Sequence, residues 1–217
     1  MIKVFLNGSN GRMGQLIKKN IELYEDMQIV GQKDKGVFEQ KEPFDVLIDF
    51  SLPEGSREAY QIAKKNKAAF LCGTTNLPQT FIDILKQEKE IPTFYSANVS
   101  IGVYLFGCLL KEAVQKYQGY NFALHEEHHA QKKDAPSGTA KALAALIDFP
   151  EGKITYVRKG QLPGTHSLKI TSAVGDEEIF LEHKALDRNL FASSAVKIAR
   201  WLSRQKGGFY TMENFVK

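Results

Sequence analysis

The sequence predicts an α/β first half built on a parallel sheet and an α+β second half with an open, mostly antiparallel sheet. Three observations carry this. Up to about residue 100, short β-rich runs alternate with segments of helical periodicity. One of those runs, Val46-Leu47-Ile48-Asp49-Phe50, is nearly all apolar, as a strand buried on both faces must be. Beyond Ser100 the pattern changes: a long helix, a strand and a capped helix are followed by three strand-like runs in succession.

In chain order, Ile2–Leu6 is the first strand. Met13, Leu16, Ile17, Ile21 and Tyr24 recur at helical spacing, and Gln28–Val30 is a second strand. The apolar run at Val46 is the third. Pro53 opens a helix to about Lys65, and Ala69–Cys72 is the fourth strand. Pro78 opens a helix to about Lys89, and Pro92–Tyr95 is the fifth strand. Val103–Tyr117 then reads as one helix and Asn121–Glu127 as a strand, with His128–Pro136 a polar loop. Ser137 caps an alanine- and leucine-rich helix, Thr139–Ile147. Strands follow over Lys153–Arg158, Ser167–Ser172 and Glu178–His183. An amphipathic helix, Phe191–Leu202, leads to a Gly207-Gly208 break and a short tail.

Composition sets the bounds. A chain of 217 residues with 43% hydrophobic and 11% aromatic residues can bury a real core, which excludes disorder. A net charge of +4, with lysines scattered over helix faces, does not point to nucleic acid. Cys72 and Cys108 are too few for a disulfide framework and are expected as small buried hydrophobes in a reducing compartment. The first residues enter a strand directly, without the apolar stretch of a signal peptide. The uncharged stretch Ile91–Leu110 contains Pro92, Ser96, Asn98 and Ser100, so it does not read as a membrane span. A cytoplasmic location is expected, with no membrane partner.

Two motifs carry chemistry. Gly8-Ser9-Asn10-Gly11-Arg12-Met13-Gly14 lies between the first strand and the first helix. Small residues there permit a tight turn and close approach of a pyrophosphate, which the free N–H groups of the helix start attract. Asp34 follows about 20 residues past Gly14, where a carboxylate holds dinucleotide ribose hydroxyls. Its charge opposes a 2′-phosphate and Lys33 and Lys35 offset it, so NADH and NADPH both stand as cofactors. Cys72-Gly73-Thr74-Thr75 and Ser96-Ala97-Asn98-Val99 lie at the carboxyl ends of strands, where α/β sheets bind ligands.

The second motif runs from His125-Glu126-Glu127-His128-His129 through Lys132 to Ser137-Gly138-Thr139. His125 to His129 formally matches a zinc protease pattern, but that pattern needs a helix. On a strand the two histidines stand about 13 Å apart, too far to share one ion, so no metal is expected. The helix start at Ser137–Thr139 suits a carboxylate, and Lys132, His128 and His129 can bind anions or move protons. A non-catalytic dinucleotide sensor and a zinc hydrolase are the competing readings.

Together these segments resemble the 4-hydroxy-tetrahydrodipicolinate (dihydrodipicolinate) reductase family. The resemblance rests on Gly8–Gly14, Asp45–Ser51, Cys72–Thr75, Ala97–Val103 and His128–Ala140, in the family's order across most of the chain. It implies NADH or NADPH as cofactor, a small dicarboxylate substrate and a homotetramer. It also implies roles. His128 matches an acid/base histidine and Lys132 a proton donor. His129, Ser137, Gly138 and Thr139 match substrate-carboxylate positions. Thr75 meets both ligands, and Arg188 is a basic residue near the site. Gly8, Ser9, Asn10, Gly11, Arg12, Met13, Asp34, Gly73, Thr74, Thr75, Ser96, Ala97, Asn98 and Val99 match the cofactor shell. The implied fold is a Rossmann-like dinucleotide-binding domain (1–99), a substrate and oligomerisation domain (100–187), and a C-terminal segment (188–217) returning to the first. Asn76 stands where many members carry Gly, and Val99 where a Phe is common. The chain is short for the family.

Overall fold

The computed structural model describes all residues from Met1 to Lys217. The chain runs β1 (Ile2–Asn7), α1 (Arg12–Ile21), β2 (Met27–Asp34), β3 (Val37–Gln40), β4 (Val46–Asp49), α2 (Pro53–Lys65), β5 (Ala69–Cys72), α3 (Gln79–Lys86) and β6 (Pro92–Tyr95). It continues with α4 (Ile101–Lys116), β7 (Asn121–His128), α5 (Gly138–Leu146), a 3-10 turn at Glu151–Lys153, β8 (Thr155–Arg158), β9 (Gly164–Thr171) and β10 (Glu178–Ala185). The last elements are α6 (Asn189–Leu202), β11 (Gly208–Tyr210) and α7 (Met212–Val216). These divide into two compact units: Met1–Ser100 with Asn189–Lys217, and Ile101–Arg188.

The first unit is a seven-stranded sheet in the order β11-β6-β5-β4-β1-β2-β3. Every neighbouring pair is parallel except β2 with β3, a hairpin turning at Gly36 with φ +72°. The centre of the sheet is dry. Val4, Phe5, Leu6, Val46, Leu47, Ile48, Phe70 and Leu71 are fully buried, each such side chain contributing about 1.5–3 kcal/mol. Helix α6 completes the layer with Ala192, Ala195, Val196, Ile198 and Ala199, also fully buried, so the final helix belongs to the first unit. Its small residues let it lie close to α1, where Asn189 and Asn20 join side chains at 2.6 Å. Buried Glu88, beyond α3, accepts from the Tyr60 hydroxyl of α2 and from the backbone N–H of Lys89 and Glu90. Burial raises its pKa, but these bonds and Lys64 outweigh it and hold the carboxyl at about 2.

The second unit has a four-stranded sheet, β10-β9-β7-β8. The β10–β9 and β9–β7 pairs are antiparallel and β7–β8 is parallel, so the sheet is mixed. One face packs Leu124, Leu168 and Ile170 against Phe106 and Leu110 of α4 and Leu143 and Ala144 of α5. Along β7, side chains alternate between faces, so Glu126 and His128 point into the covered side with Leu124.

Several expectations shift. Strands β3 and β11 and helix α7 were not expected. Strand β2 runs to Asp34, α3 ends at Lys86, and the strand at 153–158 starts only at Thr155 after the 3-10 turn. His128 is the last residue of β7, not part of the following loop. Cys72 is buried as expected, but Cys108 is exposed on α4.

Candidate active site

In the first unit the glycine segment makes a tight, self-packed turn. Gly8 has φ +79°, and a Cβ there would meet the Phe50 carbonyl oxygen at 2.4 Å. A Cβ on Gly14 would stand 2.2 Å from the Gly8 oxygen, so α1 approaches the turn as only glycine permits. Gly11 precedes helix α1 and offers no capping side chain, and the first turn carries no acid. Its first N–H groups therefore have no capping side chain, which suits an anion. Ser9 is fully buried and its Oγ has no hydrogen-bond partner. Arg12 and Asn10 are exposed, and Met13 is half-buried.

Asp34 ends β2 and its carboxylate is already engaged. Oδ2 accepts the Asn10 N–H at 2.6 Å and Oδ1 the Lys35 N–H at 2.7 Å. Those backbone bonds hold its carboxyl below the usual range. The acid thus braces the glycine turn from the side.

The other two strand-end segments sit beside a hub that sequence reading missed. Asp49, fully buried at the end of β4, accepts from Asn7 Nδ2 (2.7 Å) and Ser51 Oγ (2.6 Å) on one oxygen. Its other oxygen takes Ser56 Oγ (2.5 Å), Thr74 Oγ1 (3.0 Å) and the Cys72 thiol (3.2 Å). Burial, reinforced by Asp49, pushes the Cys72 thiol up and keeps it neutral. Thr74 is therefore buried and structural in its contacts, whereas Thr75 is exposed. Gly73 lies under the Phe50 ring, 2.3 Å from where a Cβ would be. Ser96 Oγ donates to the Asn98 carbonyl at 2.6 Å, Ala97 is exposed and Val99 is buried.

The second unit holds a charged cluster at the carboxyl end of β7. Register builds it: Glu126 sits opposite His166 of β9, and His128 opposite Arg158 of β8. Glu126 is fully buried. Its Oε1 accepts from Arg158 Nη2 at 2.7 Å and from the Ser137 N–H at 2.8 Å. The Nε2 atoms of His128 and His166 stand 3.2 and 3.6 Å from Oε2, at ion-pair distance without regular hydrogen-bond geometry. Burial raises the Glu126 pKa, but these four contacts outweigh it and hold the carboxyl far below the ordinary range. Burial pushes His166 down.

His128 Nδ1 lies 2.6 Å from the Pro163 carbonyl oxygen. That oxygen can only accept, so Nδ1 carries a proton. Both ring nitrogens thus face protein, and the residue is 6% exposed. The ring occupies the space a side chain would need at Gly164, 2.4 Å from an ideal Cβ there.

Lys132 is half-buried, with Nζ 2.8 Å from Asp134 Oδ1, and its charge helps to push His166 down. Ser137 caps α5, accepting the Ala140 N–H at 3.1 Å. Its hydroxyl and its N–H are both spent inside the protein. Gly138 is exposed with open space around it, and Thr139 and His129 are half-buried. Arg188 is half-buried between β10 and α6. His125 bonds Thr155 Oγ1 at 2.8 Å from strand β7, so the H-E-x-x-H residues do not share a helix face. Glu126, His128 and His166 place ligand-type atoms within 4.8 Å of one another, and Arg158 already compensates the carboxylate's charge. Glu126, His166, Arg158 and Asp49 were not singled out from the sequence. A period-2 reading of β7 pairs Glu126 with His128, but the partners on β8 and β9 need the register.

Comparison with known proteins agrees with this layout. Residues 2–99 match the family described as dihydrodipicolinate reductase, N-terminus, and residues 102–216 the one described as its C-terminus. The 4-hydroxy-tetrahydrodipicolinate reductase of Caldanaerobacter subterraneus subsp. tengcongensis is 34% identical, over 100% of this chain and 99% of that protein. The Rickettsia peacockii protein of the same name is 35% identical over 100% of both chains. A solved structure, a dipicolinate-bound dihydrodipicolinate reductase from Paenisporosarcina sp. TG-14, shares the fold with a TM-score of 0.78 at 21% identity, covering 99% of each chain.

Proposed function

The chain belongs to the dihydrodipicolinate reductase family, and from that premise we propose that it reduces 4-hydroxy-tetrahydrodipicolinate to tetrahydrodipicolinate with NADH or NADPH. The observation that carries this reading is that the chain holds two anion-ready sites, one in each unit. One is the uncapped, acid-free start of α1 behind a glycine turn. The other is the basic segment of Lys132 and His129 ahead of the α5 start. The first suits a dinucleotide pyrophosphate and the second a dicarboxylate.

A nicotinamide held there would supply the hydride, and the substrate hydroxyl is lost as water in the same overall conversion. The chain's own residues bind, orient and manage the proton. Gly8, Ser9, Asn10, Gly11, Arg12 and Met13 hold the pyrophosphate, and Asp34 stands at the adenosine ribose. Gly73, Thr74, Thr75, Ser96, Ala97, Asn98 and Val99 complete the cofactor shell. Gly138, Thr139 and His129 hold carboxylates, with Thr75 and Arg188 as further substrate contacts and Ser137 shaping the turn. Orientation of this kind supplies up to about 7–11 kcal/mol of barrier lowering.

Lys132 donates the proton that balances the hydride. Its ammonium is half-buried and paired with the exposed Asp134, whereas the buried His128 ring has Nδ1 bonded to the Pro163 carbonyl and Nε2 turned toward Glu126. His128 serves as the anchor of the segment. NADH is the preferred cofactor. The ionised Asp34 opposes a 2′-phosphate, and of the two lysines that could offset it Lys33 is ion-paired with Glu58, which leaves Lys35 alone beside the acid. The open sheet face carrying Val157 and Phe180 fits a homotetramer working in the cytoplasm. The direct test is Lys132→Ala. Its kcat falls at least about 10²-fold while NADH affinity is kept, and His128→Gln loses less. An unchanged kcat in Lys132→Ala removes the lysine from the mechanism.

A further inference from the structure

The 128–137 segment leaves the sheet at the end of β7 and returns at the start of α5. Its near half is tied by backbone to the loop between β8 and β9: His129 N–H donates to Leu162 O at 3.2 Å and Ala130 N–H to Gly160 O at 3.3 Å. Its far half is different. Gln131, Lys133, Asp134 and Ala135 are exposed, so apolar burial does little to fix them. Among them Asp134 is held by Arg158, which Glu126 holds in turn. Arg158 Nη2 donates both to the Asp134 carbonyl and to Glu126 Oε1, each at 2.7 Å. That same Oε1 takes the Ser137 N–H, while Oε2 faces His128. One carboxylate therefore touches both ends of the segment and the guanidinium its middle.

We propose that Glu126 and Arg158 form a clamp that closes the 128–137 segment, and that both are positioning residues for Lys132 and the carboxylate site. The proposal rests on the reductase reading for its catalytic consequence, but the clamp itself is independent of it. Both bonds leave the one Nη2 amine, whose two hydrogens are fixed in the guanidinium plane and so aimed at two set acceptors. A lysine at 158 keeps the charge and loses that planar, fixed aim. Glu126→Gln keeps the size and loses the charge.

The experiment compares wild type, Arg158→Lys, Glu126→Gln and the double variant. Amide hydrogen exchange reads the clamp without any ligand. Exchange at the Ser137 N–H is expected to speed up at least about tenfold in Arg158→Lys, in line with the loss of a charge-assisted bond. Binding of pyridine-2,6-dicarboxylate is expected to weaken by about the same factor, with NADH affinity unchanged. The double variant is expected to be no worse than Glu126→Gln, because the two residues act as one device. Unchanged exchange at Ser137 in both single variants, or effects that multiply independently, overturn the proposal. Failure of the wild type to bind the dicarboxylate or turn over overturns the reductase reading instead, and the exchange result still decides the clamp.

Discussion

Substituting Gly164 by alanine probes the placement of His128 with a single methyl group. The new Cβ stands 2.4 Å from His128 Cε1, 2.8 Å from Nδ1 and 3.1 Å from Nε2. Ordinary contact begins near 3.4 Å, so the ring must move by about 1 Å. It has little room to do so: Nδ1 sits 2.6 Å from the Pro163 oxygen, and Nε2 lies 3.2 Å from Glu126. Overpacking of this kind costs about 1–3 kcal/mol. For a chain of 217 residues unfolding as one that is a Tm loss of about 2–12 °C. Displacement of a positioned group by about 1 Å costs up to about 10²-fold in turnover. The assay pairs thermal unfolding with steady-state NADH oxidation, and NADH affinity serves as the control because the glycine turn is untouched. Full activity together with an unchanged Tm refutes the argument that this ring is wedged in place and anchors the segment.

Other outcomes follow from the same geometry. Gly14→Ala puts a Cβ 2.2 Å from the Gly8 carbonyl and 2.7 Å from Ser9 backbone atoms, and backbone cannot yield as a side chain can. NADH affinity is expected to fall more than about tenfold, read by fluorescence titration; retained affinity would mean that the turn does not hold the cofactor. Glu88 has its carboxyl held at about 2 in the folded state, against 4.5 unperturbed. A depressed carboxyl stabilises above its unfolded pKa, so on the order of 3 kcal/mol is present near neutrality and is lost as pH falls from about 4.5 toward 2. Denaturant melts across that window should steepen with acid in wild type and flatten in Glu88→Gln; matching profiles would rule out this linkage. Asp34→Ala frees the Asn10 N–H and removes the charge facing a 2′-phosphate. The ratio of kcat/KM for NADPH over NADH should rise, and an unchanged ratio would place cofactor choice elsewhere.

Much of the fold was legible because burial leaves a mark on sequence. The apolar run Val46–Phe50, the glycine spacing of Gly8–Gly14 and the acid at Asp34 each follow from a local physical demand. The missed pieces lacked such a demand. Strand β3 is an edge whose Phe38, Glu39 and Gln40 are exposed, so no apolar pattern betrays it. Strand β11 is only three residues long. For the site, the loop carrying Lys132 and the helix cap at Ser137 were visible as residue types. Glu126, His166 and Arg158 were not, because what joins them is register across three strands. Arg158 lies 32 residues beyond Glu126, and nothing local in the chain ties the two. The burial of His128 is likewise a tertiary fact. Its residue type suggested a proton donor, and its contacts recommend an anchor.

The central claim is the reaction itself. Its most direct measurement is the absorbance change of NADH, and separately of NADPH, when the purified protein meets substrate generated in place from pyruvate and aspartate semialdehyde. The account predicts stoichiometric oxidation of the nicotinamide that depends on that substrate, faster with NADH, and lost in Lys132→Ala. Tight NADH binding without substrate-dependent oxidation would contradict it and leave a dinucleotide sensor in its place.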